Sequence, residues 1–268
     1  MAANYWTSSQ RLKWQLTKTQ LEHTRRADLL FCQEDDLRLV RIYLYSLIQR
    51  LGRRLQLRQQ PMATAAVYMA RFYTKVAIRE TNPYLVCATC VYIASKMEEC
   101  PQHIRTVVSE AKSLWQDYVT LDSSKLAECE FYVISEMSSY LIIHHPYRTL
   151  TQLNKPLDLS PEETQTSWAI INDSYMTDLP LLYPPHVIAL TAIYLSIVLP
   201  NVQMSKSGIT STSLESRNND KMISWFADNG VEMESIVNCT QEMISFYAIW
   251  ETYIEKDLKD LVARMMAR

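Results

Sequence analysis

Only three of the 268 residues are glycine, Gly52, Gly208 and Gly230, and they stand far apart. Average usage is about 7%. Sheets joined by tight turns need residues that tolerate positive φ, and glycine supplies most of them. Loops that cradle phosphates need several glycines close together. A phosphate-binding loop and a dinucleotide fingerprint are therefore excluded, and helices joined by short turns remain. Hydrophobic residues make up 48% of the chain, enough for packed cores, and the length suits two domains of roughly 100–130 residues each. With 27 basic and 29 acidic side chains, the charge balance offers no general attraction to nucleic acid, which needs a basic face.

Prolines punctuate the helical patterns. Pro61, Pro83, Pro101, Pro161 and Pro184 each stand just ahead of one, where a missing N–H costs least. After Pro61, the positions Met62, Ala65, Ala66, Met69, Phe72, Tyr73 and Val76 follow helical spacing. Asn82-Pro83 reads as an N-cap and first turn, and the helix it opens, 84–96, is apolar nearly all round. Such a helix belongs at the centre of a bundle. Ile104, Val107, Val108, Ala111, Leu114 and Trp115 mark one face of the next helix, and Asp122 or Ser123 caps another that runs to about Met137. With a helix over 34–51, five helices are predicted between about residues 33 and 140.

The second half repeats the plan. In one frame Val86 pairs with Val187, Ala88 with Ala189 and Ser95 with Ser196. Helices are predicted over 162–178, 220–228, 231–247 and 250–266. Residues 201–219, rich in Ser, Thr and Asn, read as a mobile loop. The first 25 residues, with Tyr5, Trp6 and Trp14, read as a separate N-terminal helix that docks on the body or on a partner.

Catalytic patterns are lacking. Cys87-Ala88-Thr89-Cys90 lies inside an apolar helix without a second pair, and two core thiols are favoured over a metal site. His144-His145 has no cysteine or carboxylate at metal spacing and suits a bend between domains. No nucleophile elbow, HExxH or kinase motif is present. No cofactor and no metal are expected. The first ten residues lack the apolar core of a signal peptide, and the longest apolar stretch, 187–199, is short of the roughly 20 residues that span a membrane. The chain reads as a soluble protein of a reducing compartment. Arg50, Arg53, Arg54 and Arg58, around Gly52, form either a solvated cluster or a patch for phosphate or an acidic partner.

Two charges stand where apolar residues would be expected. Leu126, Cys129, Val133 and Met137 make one helical stripe, and Glu130 falls within it. Lys96 ends the enclosed helix, where the dipole favours an ammonium, while its counterpart in the second half is Ile197. A carboxylate on an apolar face is rarely left unpaired. The two charges either bridge each other inside the fold or are presented to another protein.

Ala94-Ser95-Lys96-Met97-Glu98-Glu99 and Ala127-Glu128-Cys129-Glu130-Phe131-Tyr132 resemble two helix motifs of the cyclin box. Tyr5-Trp6-x-Ser8-Ser9, Leu57-Arg58-Gln59-Gln60, Arg71-Phe72-Tyr73, His145-Pro146-Tyr147-Arg148 and Leu182-Tyr183-Pro184-Pro185 resemble, in this order, the C-type members of the cyclin family. The resemblance implies an all-α chain: an N-terminal helical segment (1–30), a kinase-binding cyclin box of five helices (31–142), a second five-helix box (143–250) and a C-terminal helix (251–268). It implies a non-catalytic subunit that activates the cyclin-dependent kinase of the Mediator complex in the nucleus and so regulates RNA polymerase II transcription. Other Mediator subunits are implied as partners; direct nucleic-acid contact, a membrane and a small-molecule substrate are not. It places kinase contacts on Lys96, Glu130 and Glu99, and partner choice on Tyr5, Trp6 and Trp14. Leu47 stands where cell-cycle cyclins carry a substrate-docking tryptophan, which puts that role in doubt. The rival is a nucleic-acid-bound adaptor with tandem cyclin folds, like the B-type general transcription factors, but the basic face and zinc ribbon of that class are missing.

Overall fold

The computed structural model describes residues 4–115, 122–206 and 213–266, with the side chains of 200–219 outside that description. Among the described residues every regular element is helical. A 3-10 turn (Tyr5–Thr7) precedes α1 (Ser9–Trp14), α2 (Lys18–Thr24), α3 (Arg26–Leu29), α4 (Glu34–Arg54), α5 (Gln59–Phe72), α6 (Pro83–Met97), α7 (Ile104–Leu114) and α8 (Ser123–Glu136). Then come α9 (Tyr147–Leu157), α10 (Pro161–Ser174), α11 (Leu179–Leu182), α12 (Pro185–Lys206), α13 (Ser213–Asp228), α14 (Met233–Trp250) and α15 (Glu255–Met266). None of the described helices is long and apolar enough to cross a membrane. The chain divides into two compact units. One holds Met1–His144, Tyr175–Leu182 and Tyr247–Arg268; the other holds His145–Ser174 and Tyr183–Phe246.

In the first unit α6 packs against α4, α5, α7 and α8, as its all-round apolar sequence predicts. Asn82 caps it by accepting hydrogen bonds from the N–H groups of Tyr84 and Leu85, and Pro83 fills the first turn. Cys87 and Cys90 are wholly buried in this helix. Burial pushes both thiols up, so they stay protonated and serve as packing. Gly52 lies within α4, where a Cβ would meet the Met62 side chain of α5 at 2.3 Å. The absent side chain lets the two helices approach. Leu47 is fully buried in the same helix.

The N-terminal segment is not the single helix expected. Ser8 caps α1 by accepting from the Arg11 N–H, and Thr17 with Gln20 forms a capping box that starts α2 afresh. Each cap ends one helix direction and opens another. The expected last helix is likewise shifted. α14 runs on to Trp250, and α15 starts only at Glu255, which pairs with Arg50 of α4. Glu255 and Asp257 sit in the first turn of α15, where the helix dipole favours acids.

In the second unit α12 packs against α9, α10 and α13. Ser95 and Ser196, matched in the repeat frame, make the same bond: each hydroxyl donates to the carbonyl three residues back, at 2.8 Å. α9 went unread in the sequence, although Tyr147, Leu150 and Leu157 of its buried side follow helical spacing. Pro156 inside its last turn disguises the pattern. α10 ends at Ser174, ahead of the expected 178. The polar stretch 201–219 is not the loop expected: α12 continues to Lys206 and α13 starts at Ser213, leaving 207–212 outside the described residues. Extending an existing helix by a turn is cheap, so polar composition alone does not stop it.

Candidate functional site

The site grows from the contact between the end of α6 and the middle of α8. Lys96 lies in the last turn of α6 and Glu130 in mid α8, and they form an ion pair. The Lys96 Nζ also lies 4.2 Å from the centre of the Tyr92 ring, a cation–π contact. The Lys96 side chain keeps 37% of its surface and that of Glu130 keeps 15%. In the stripe around Glu130, Leu126, Val133 and Met137 are fully buried and Cys129 is half-buried. The charges hold each other, with Lys96 partly exposed and Glu130 mostly covered.

The same two helix segments also expose apolar side chains. Phe131, next to Glu130, is 76% exposed, and Tyr132 and Met97 are exposed as well. Tyr132 rests edge-on against Phe72, with ring centres 5.5 Å apart, which fixes its orientation. Exposed aromatic and methionine side chains are enriched at protein-binding surfaces.

The turn after α6 holds Glu98 and Glu99. Cys100 N–H bonds to Ser95 O at 2.9 Å and Glu99 N–H to Lys96 O at 3.3 Å, which is a Schellman ending. Its left-handed position is filled by Glu99, with φ 56°, where glycine is usual. Glu98 accepts from Thr64 and from Gln60, so it is held inward, while the Glu99 side chain is exposed. A non-glycine residue in this conformation costs about 1 kcal/mol. Glu99→Gly should therefore leave stability equal or raise it by up to about 1 kcal/mol in urea denaturation. A clear loss of stability would show that the Glu99 side chain supports the fold.

The other sequence candidates fall apart into separate places. Arg50 makes a two-pronged pair with Glu255, at 2.8 Å for one prong, and this pairing, chiefly the hydrogen bond, holds the Glu255 carboxyl down at about 2. Arg54 lies 4.0 Å from Glu110, while Arg53 and Arg58 are exposed. The four arginines do not converge on one point. At the N-terminus the two tryptophans part company. Trp14 is buried, with the Arg71 guanidinium 5.0 Å and the Lys75 ammonium 5.6 Å from its ring centre. Trp6 is exposed, under the Arg11 guanidinium at 5.0 Å. Tyr5 sits edge-on to both Trp6 and His144 and donates to Gln15 at 2.9 Å.

One charged centre escaped the sequence reading. Asp178, just ahead of α11, is buried and bridges Arg25 and Arg41. Burial pushes its carboxyl up, but the two guanidiniums outweigh that and hold it at about 2. Beside it lies a cavity of about 50 Å³, lined among others by Leu37, Leu44, Met69 and Tyr175. Arg25 and Arg41 are far from Asp178 in sequence, so no local pattern links the three.

The described residues form two compact helical units, with a lysine–glutamate ion pair on the first. Residues 11–142 match the family model described as "Cyclin, N-terminal domain". The chain is 46% identical over 297 residues to an RNA polymerase II holoenzyme cyclin-like subunit of Aspergillus oryzae, covering 99% of this chain and 98% of that one. It is equally similar to a subunit of the same description from Yarrowia lipolytica, 46% over 281 residues, covering 99% and 100%. The chain belongs to the cyclin family. Its fold is shared with a chain in the Chaetomium thermophilum CAK complex bound to ATP-gamma-S, at a TM-score of 0.69 and 18% identity over 97% of this chain and 88% of that one. It is shared too with a chain of the yeast TFIIK (Kin28/Ccl1/Tfb3) complex, at a TM-score of 0.67 and 19% identity over 89% and 100%.

Proposed function

We propose that this chain is the cyclin subunit of a transcription-associated cyclin-dependent kinase: a C-type cyclin that activates the kinase of the Mediator complex in the nucleus and so regulates RNA polymerase II transcription. Other Mediator subunits are its further partners. The observation that carries the reading is the Lys96–Glu130 pair, on the same two helices that expose Phe131, Tyr132 and Met97. The names of the relatives support the RNA polymerase II setting, and the complexes that share the fold support a kinase partner.

A kinase positions its ATP phosphates only when the αC glutamate pairs with the β3 lysine. A rigid helical surface packed on αC favours the conformer in which that pair is made and shifts the population towards it. Lys96 has protons to donate to backbone carbonyls at the end of a kinase element, and Glu130 has lone pairs for its amides. Charge-assisted bonds of this kind fix orientation. Glu99, exposed on the same turn, is a third contact, and Tyr5 and Trp6 contribute to partner choice.

Lys96→Ala and Glu130→Ala should each weaken binding to the purified kinase by about 30-fold, or about 2 kcal/mol. If the pair serves the interface rather than the fold, the free chain keeps its stability within about 1 kcal/mol. Since the two charges touch, the double variant should lose less than the sum of the singles. Dissociation constants for the kinase and urea denaturation of the free variants decide the matter. Variants that bind normally, or that lose several kcal/mol of stability, would make the pair architecture and remove the reading's support.

A further inference from the structure

Between α8 and α9 the chain runs from 137 to 146 outside any helix. Backbone in such a stretch usually turns its polar groups to water. Here side chains of the first unit take several of them. Tyr68 donates to the Leu141 carbonyl, and Arg71 donates to the Tyr140 carbonyl at 3.0 Å. Gln10 of α1 adds two bonds to one residue: its amide accepts from the His144 N–H at 2.7 Å and donates to the His144 carbonyl at 3.2 Å. Gln10 is only 6% exposed. An apolar side chain would pack there at no polar cost, so the buried glutamine is accounted for by the backbone it pairs with.

The rest of the N-terminal segment adds to the hold. Tyr5 lies edge-on to the His144 ring, with 5.7 Å between centres. The Trp14 ring backs the Arg71 guanidinium that ties down Tyr140. Just past α1, the Leu16 N–H donates to the Leu181 carbonyl at 2.8 Å. These contacts fall on two stretches of one kind. Residues 140–144 are where the chain leaves the first unit, and 175–182 are where it briefly returns to it. Residues 5–16 touch both. Yet α1 has six residues and buries only Gln10 and Trp14. A helix this short does not stand alone in water. Tertiary ties hold it, and elements held this way open well below the free energy of global unfolding.

We infer that residues 5–16 form a releasable strap. Docked, it fixes the stretch 140–144 and the Leu181 end of 175–182; lifted, it lets go of both at once. Asp178 keeps its own grip through Arg25 and Arg41, so release stops short of unfolding the unit. This holds whether or not the first unit binds a kinase.

Two amides report on the strap, those of His144 and Leu16. Hydrogen exchange of the full chain, resolved to single amides, is the test. The expected result is one protection factor shared by His144 and Leu16, at least tenfold below that of the α6 amides. Trp14→Ala should lower both by a common factor of ten or more. Gln10→Met keeps the side-chain length and removes both bonds to His144. It should speed Leu16 at least tenfold as well, although the Leu16 N–H bonds to Leu181. Unequal protection of the two amides in the unaltered chain, or protection as high as that of α6, would overturn the proposal. So would a Gln10→Met chain in which His144 speeds up and Leu16 does not, or rates unmoved by both variants.

Discussion

Asp178→Asn is expected to destabilise the first unit by about 3 kcal/mol or more at neutral pH, the largest effect of any polar substitution considered for this chain. The carboxylate is buried and is the shared acceptor of Arg25 and Arg41. Asparagine keeps the volume but offers one acceptor oxygen and no charge to two guanidiniums that are themselves four-fifths buried. The guanidiniums stay charged, because arginine does not deprotonate near neutral pH. The loss is therefore that of a broken buried network, not that of a surface pair. The pH dependence follows from the depressed carboxyl. In the unfolded chain an aspartate titrates near 4, while in the fold Asp178 is held at about 2. Its contribution is complete above about pH 4 and drains away as the pH falls towards 2. Urea denaturation at pH 7 should separate the two proteins, and the gap should narrow between pH 4 and pH 2. A gap under 1 kcal/mol at pH 7, or one that stays constant on acidification, would show that Asp178 does not hold this junction together.

Trp14→Ala is expected to cost about 3 kcal/mol, and Trp6→Ala less than about 0.5 kcal/mol. Trp14 is buried among its neighbours, so truncation removes one of the larger apolar areas in the N-terminal segment and leaves a cavity. It also uncovers Arg71, whose guanidinium is almost fully buried and lies against the Trp14 ring while donating to Tyr140 O at 3.0 Å. Burial pulls Arg71 down to about 10, which leaves it a cation at neutral pH, and a buried cation that loses a neighbour is costly. The loss should appear first as faster hydrogen exchange in α1, whose buried side chains are only Gln10 and Trp14. Trp6 faces water, so its removal should leave stability alone and act only on partner binding. Equal stability losses for the two variants would mean that the N-terminal segment works as one docked unit.

Much of the first unit was legible because its signals are local. Asn82-Pro83 marks a helix start by side-chain hydrogen bonding and a fixed φ, and the all-round apolar run behind it demands enclosure, which α6 has. Scarce glycine, helical apolar spacing and prolines at helix starts settled the all-α class. Lys96 and Glu130 stood out because each breaks a pattern of its own helix. Where the reading failed, a local signal was masked or misleading. Ser8 and the Thr17–Gln20 box break the N-terminal segment into pieces that aromatic content does not reveal. Pro156 hid α9, and polar composition hid the ends of α12 and α13.

What the sequence determined by itself is what one helix decides: where it starts, which side is apolar, and which charge stands out of place. Only the tertiary structure decided which charges meet and which face water. Arg25, Arg41 and Asp178 come from three distant segments and meet through packing alone. Arg50 is spent on Glu255, across most of the chain, while Arg53 stays in solvent. Trp14 and Trp6, alike in the sequence, end in opposite environments. The reason is physical: capping and periodicity are short-range and act within a few residues, whereas burial depends on every element that packs against a side chain, and no window of sequence contains them all.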